Sequence, residues 1–95
     1  MTNEERSLIL EDLLGLANGQ EYRLPLSRPM VRYIVFGNPV GDFLHAVVSN
    51  DLAGAACRAD TLNQTALAAY GRFMLHHAPA ACWGSKEKTE EWKGL

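Results

Sequence analysis

The stretch Val48-Ser-Asn-Asp-Leu-Ala-Gly-Ala-Ala-Cys-Arg-Ala-Asp60 constrains this chain more than any other. Short polar side chains flank a centre made almost wholly of small residues. Asn50 and Asp51 are good helix initiators, because a short side-chain oxygen can accept from the unpaired N–H groups of a first helical turn. Asp60 is placed to cap a second helix in the same way. Between them, Ala53, Gly54, Ala55 and Ala56 let a neighbouring helix approach closely and leave little side chain for chemistry. Arg58 follows Asp51 by two helical turns. Asn50, Asp51, Arg58 and Asp60 are therefore expected to form a mutual hydrogen-bond network that fixes a helix corner; the alternative use of the same four residues is a binding site.

The same logic of caps and breakers divides the rest of the chain. Thr2-Asn-Glu-Glu5 is a capping box standing just before Leu8, Ile9, Leu10, Leu13, Leu14 and Leu16. Asn18-Gly19 ends that helix, since glycine tolerates the left-handed closing conformation. The apolar stripe is wide, which implies cover on more than one side, by this chain or by a second copy. Glu21 to Leu26 alternates in polarity and contains Pro25, predicting an extended connector rather than a sheet strand. Ser27 can cap the next helix, with Pro29 inside its first turn. That helix carries Met30, Val31, Tyr33, Ile34 and Phe36, and Gly37 stops it. Val31 to Phe36 would suit a strand by composition, but an isolated strand would have no partner, so helix is favoured.

Asn38 to Asp42 is a turn that starts a third helix, where Val40, Phe43, Leu44, Val47 and Val48 recur at helical spacing. Asp60 opens what reads as the longest helix, through Leu62, Ala66, Ala69 or Tyr70, Phe73 and His77, until Pro79 forbids continuation. Pro79 to Gly84 is a loop, and Ser85 caps a last helix that reaches Trp92. The expected fold is all-α: one compact domain over residues 1–95, an irregular bundle of five or six short helices. Residues 1–28 form its N-terminal helix and connector, and residues 29–95 its core.

A chain of 95 residues buries only roughly 60–65% of the surface it exposes when unfolded. The core is thin, and self-association would help to stabilise it. A formal charge of −2 gives no global nucleic-acid signal. The charge is unevenly spread, however. Residues 1–21 hold Glu4, Glu5, Glu11, Asp12 and Glu21 against Arg6, a net of −4, while residues 22–37 hold Arg23, Arg28 and Arg32 and no acid, a net of +3. Either these segments pack together and neutralise, or the arginines form a patch for an acidic partner or an anion. Two cysteines and no recognisable signal peptide or membrane span point to a reduced cytoplasm.

Chemistry is sparse. His45, Cys57, His76, His77 and Cys82 show none of the short paired spacings of a zinc site. Adjacent His76 and His77 point roughly 100° apart on a helix, so one is expected to be half-buried and the other exposed. Neither a metal nor a cofactor is expected. Cys57, among alanines, reads as an inert, buried thiol, and Cys82, in a loop beside Trp83, as the more available one. Asp51 and Asp60 are explained as caps rather than as acid/base groups. Gly37, Gly41 and Gly54 make no phosphate loop. No catalytic residue is assigned, and the chain is not expected to be an enzyme. The candidate binding residues are Arg28 and Arg32, four apart on one helical face and able to grip a phosphate or carboxylate, with Tyr33, Arg58 and Trp83. Trp83 either stitches the last helix down or presents a contact surface.

From about Pro29 onward the residues form a longer pattern: Tyr33-Ile34, Gly37, Pro39, Gly41 to Leu44, Ala46-Val47, Asn50 to Leu52, Ala55, Arg58 to Asp60, Asn63, Ala66-Leu67, Ala78-Pro79, Cys82 to Ser85 and Lys88 to Trp92. In order and spacing this resembles a family of short proteins encoded by temperate bacteriophages, prophages and related mobile elements. The likeness implies a bacterial host's cytoplasm as the setting and brings no catalytic residues with it. The N-terminal helix and the arginine-rich connector are longer than in that pattern. The leading expectation is a non-enzymatic accessory protein that binds a host or phage protein, modulating a host process or a defence system. A protein binding a small anion or nucleotide through Arg28, Arg32, Arg58 and Tyr33 is the alternative. Nucleic-acid binding comes third, since it would require the Arg23, Arg28 and Arg32 patch to join Arg72 or the C-terminal lysines on one face.

Overall fold

The Thr2 hydroxyl accepts from the Glu5 N–H, and the Glu5 carboxylate accepts from the Thr2 N–H, both at 3.1 Å. The capping box thus starts α1 (Asn3–Asn18) as the sequence predicts. The structure, a computed structural model, describes residues 1–95. After α1 come α2 (Ser27–Phe36), α3 (Asp42–Val48), α4 (Leu52–Arg58), α5 (Thr61–Thr65), α6 (Leu67–His77) and α7 (Lys86–Glu91), with a single 3-10 turn at Ala80–Cys82 before α7. The fold is all-α and compact, with a radius of gyration of 12.4 Å. No helix is long and apolar enough to cross a membrane.

Seven helices stand where five or six were expected, because the segment opened by Asp60 breaks in two. At Ala66 (φ −92°, ψ 1°) the N–H is shared between Leu62 O at 3.3 Å and Asn63 O at 3.1 Å. The Thr65 hydroxyl bonds back to Thr61 O at 3.0 Å, a contact that bends helices. The 16-residue α1 is therefore the longest element.

Helices α1 and α2 pack side by side, with Leu10, Leu13, Leu14 and Ala17 of α1 in the same core as Met30, Val31, Ile34 and Val35 of α2. Arg6 Nε donates to Leu95 O at 2.7 Å, and the Leu95 N–H donates to Val35 O at 2.9 Å. The start of α1 thus lies beside the end of α2, so the pair is antiparallel. Tyr70, Phe73 and Met74 of α6 and Phe43, Leu44 and Val48 of α3 complete the core.

Local expectations are corrected at three places before α2. Gly19 closes α1 through its N–H to Leu16 O, but with extended backbone (φ −69°, ψ 171°) rather than left-handed. The connector is a turn rather than an extended run, with Arg23 at φ +47° and Leu24 N–H bonded to Ala17 O at 2.8 Å. It presses Tyr22 and Leu24 into the core. Ser27 does not cap α2: its hydroxyl bonds to the Asn18 side chain at 2.5 Å, while the Tyr70 hydroxyl accepts from the Leu26 N–H at 3.0 Å. A tyrosine distant in sequence does the capping.

Gly37 ends α2 as expected, and does so in the left-handed conformation (φ +73°). It also permits a close approach: a methyl group there would lie 2.5 Å from the Lys93 carbonyl carbon. The segment from Trp92 to Leu95 lies across this end of α2. The Trp92 indole N–H reaches Tyr33 O at 2.9 Å and Ile34 O at 3.2 Å. Ile34 O, which the last helical turn leaves unpaired, is thereby satisfied, while Tyr33 O also accepts from the Gly37 N–H at 2.9 Å. Trp92 fastens this end of the chain. The acidic and basic segments do not pair: the one ion pair of the molecule is Lys86–Glu90 at 3.9 Å.

Candidate functional site

The corner between α3 and α4 is assembled without a linker. Asn50 is left-handed (φ +62°), its N–H bonded to Val47 O at 3.2 Å, and the Asp51 N–H reaches back to Ala46 O at 2.9 Å. These two bonds make a Schellman closure, with Asn50 in the place usually taken by glycine. Asp51 then caps α4, its carboxylate accepting from the Gly54 N–H at 2.9 Å. Asn50 is thus a terminator, and only Asp51 is an initiator. Gly54 leaves room for this cap: a methyl group there would collide with the Asp51 carboxylate and lie 2.9 Å from Arg58 Nη1, so these side chains would have to shift.

The expected mutual network does not form. Arg58 Nη1 donates to Gly54 O at 3.2 Å, and the Asp60 carboxylate accepts from the Asn63 N–H at 2.8 Å. No ion pair joins Arg58 to Asp51 or Asp60. Each carboxylate is engaged by a backbone N–H three residues ahead of it, and no side chain bridges the two caps.

Two concavities share this corner. One is a cavity of about 120 Å³ lined by Ala46, Ala55, Leu52, Gly71, Met74 and Trp83, among others. Leu52 stands at its lip with 73% of its surface exposed. A methyl group added at Gly71 would meet nothing within 4 Å, so the glycine leaves open space in the middle of α6. The Gly84 N–H bonds to Val48 O at 2.8 Å, which holds the half-buried Trp83 beside the end of α3. The other concavity, about 310 Å³, is polar, with Asp42, His45, Ser49, Asp51, Arg58 and Lys86 around it. Ala46 and Asp51 belong to both. The corner therefore offers an apolar groove flanked by charges of both signs. No three His, Cys, Asp or Glu side chains converge as a metal site would need.

The residues singled out in the sequence fall in three places. Arg28 and Arg32 are exposed on α2, at a shallow depression shared with Pro29, Asn38 and Pro39. The Arg32 guanidinium lies 6.0 Å from the Phe36 ring centroid. Arg58 and Trp83 sit at the corner, on its polar and apolar sides respectively. Tyr33 is buried, its hydroxyl donating to Cys82 O at 2.6 Å, so it is a core residue and not a contact. Burial also raises its pKa. No cavity contains both the Arg28–Arg32 pair and Arg58.

The cysteines reverse their expected roles. Cys57 is exposed and Cys82 buried, and burial pushes the Cys82 thiol up to about 11. Of α4 only Ala55 is buried, so the alanines around Cys57 are surface. His77 is half-buried against the Tyr22 hydroxyl at 3.2 Å, and His76 is exposed. Sequence reasoning missed Leu52, Leu67, Gly71 and Met74. The available signal was the helical spacing of Leu67, Gly71 and Met74, with a glycine where a large side chain would fill the face.

No family model matches the chain, and neither the curated proteins nor the solved structures contain a match.

Proposed function

We propose that this is a non-enzymatic binding protein that holds an amphipathic helix of another protein in the apolar groove at the α3–α4 corner. The observation that carries the reading is Leu52, a large apolar side chain left 73% exposed at the lip of a groove lined by Met74 and Trp83. Large side chains seated in desolvated pockets supply most of the energy of protein contacts, and a helix laid in a groove is a recurrent way to achieve this. Gly71 leaves the space into which one such anchor fits, while Arg58, Lys86 and Asp42 offer charged contacts at the neighbouring rim.

The resemblance to temperate-phage and prophage proteins supports a host or phage protein as the partner, in the bacterial cytoplasm, with modulation of a host process or defence system as the outcome. The test is affinity capture from host cells with three variants. The partner retained by the wild type is lost with Gly71→Phe, which fills the groove, and with Leu52→Asp, which removes its lip. It is kept with Cys57→Ser, on the exposed side of α4. Retention by both groove variants would sink the proposal, as would failure of the wild type to hold any protein.

A further inference from the structure

We propose that two copies of this chain associate, the acidic outer face of α1 on one docking against the arginine face of α2 on the other. Glu4, Leu8 and Glu11 lie together on the outside of α1, around a broad depression that also includes Asn3 and Ser7. Leu8 is 69% exposed and Leu16, two turns on, 42%. This is the outer part of the wide apolar stripe, which α2 leaves uncovered. On α2, Arg28 and Arg32 project from successive turns beside Asn38.

Both faces are electrostatically unfinished. The molecule's one ion pair is Lys86–Glu90, so neither arginine has a carboxylate partner and neither Glu4 nor Glu11 has a cation. Glu5 and Arg6 are not available to answer them, being engaged in the capping box and with Leu95 O. Residues 1–21 keep a net −4 and residues 22–37 a net +3, with no ion pair between α1 and α2 although the two helices are packed together.

A second copy is the occupant this arrangement selects, because each chain carries both halves of the contact in equal number. In the proposed dimer a two-fold axis sets α1 of each copy over α2 of the other and satisfies both pairs of faces at once. Exposed ion pairs alone contribute little. The apolar area at Leu8 and Leu16 supplies attraction, while the charges fix which face meets which. This contact is separate from the α3–α4 groove and leaves it open.

The test uses two charge-reversed variants, Arg28→Glu/Arg32→Glu and Glu4→Arg/Glu11→Arg, in sedimentation equilibrium over a range of concentrations and salt. The wild type is expected to be a reversible dimer that weakens as salt rises. Each variant alone should dimerise at least tenfold more weakly, and an equimolar mixture should recover the dimer, because reversed faces then meet complementary ones. Leu8→Ser, which touches no charge and no cap, should also weaken the dimer. Circular dichroism establishes that each variant retains its helices. A wild type that stays monomeric at the highest concentration, variants that dimerise as well as the wild type, or a mixture that recovers nothing would each overturn the proposal.

Discussion

Asn50 carries a conformational burden that sequence reasoning assigned differently. Its φ of +62° is reached readily by glycine, tolerated by asparagine, and unfavourable for other residues by about 1–2 kcal/mol. Asn50→Gly should leave stability nearly unchanged, whereas Asn50→Ala should lose about 1 kcal/mol in urea unfolding; equal stability of the two would mean that the left-handed corner is wrong. The sequence showed that this dipeptide marks a helix boundary. It did not show which residue closes one helix and which opens the next, because asparagine suits both positions. Cys82 gives a second residue-scale outcome. Its thiol, ordinarily near 9.0, is pushed up to about 11 in the fold by burial. Above pH 9 the unfolded chain releases this proton and the folded chain holds it, so its stabilising contribution is full below that pH and is lost as the pH rises to about 11. Tyr33 and Tyr70, also raised by burial, extend the decline. Urea midpoints measured from pH 8 to 11 should fall, and fall less in Cys82→Ala. In the native protein at neutral pH a thiol reagent should label Cys57 and spare Cys82.

Among the elements, α2 depends most on residues far away in the chain. Its first turn is met by the Tyr70 hydroxyl, and its last carbonyls by the Trp92 indole and the Leu95 N–H. Gly37→Ala combines an unfavourable left-handed alanine with a clash against Lys93. It should destabilise the protein by more than the roughly 1 kcal/mol of the conformational effect alone, and Trp92→Phe should lower the thermal midpoint by removing the indole bonds. An unchanged midpoint in both would show that residues 92–95 do not fasten α2. Helix starts with local caps were legible: Thr2, Asp51, Asp60 and Ser85 each accept from an N–H three residues on. The start of α2 was not, since its cap lies 44 residues away at Tyr70. The break at Ala66 escaped for a related reason: the apolar spacing runs on across Thr65, and spacing does not register how a hydroxyl bends the backbone.

On the scale of the whole molecule, the polar side chains chiefly hold helix ends, and no buried side-chain polar atom lacks a partner. What remains unsatisfied is on the surface: an apolar groove at one corner, and two oppositely charged faces on the α1–α2 layer. The corner was legible as an organising point, but its groove was not. A groove arises where two helices fail to fill the space between them, and that depends on how Leu52, Gly71, Met74 and Trp83 from three parts of the chain come together. The proposal that this corner binds a partner helix is probed by placing a photo-crosslinking amino acid at position 52 in cells that contain the partner. One specific crosslinked partner is expected from position 52, absent when Gly71→Phe is added and absent when the crosslinker is placed at Gln64, an exposed residue away from the groove lining. Crosslinking of equal yield from both positions, or crosslinking that survives a filled groove, would contradict it.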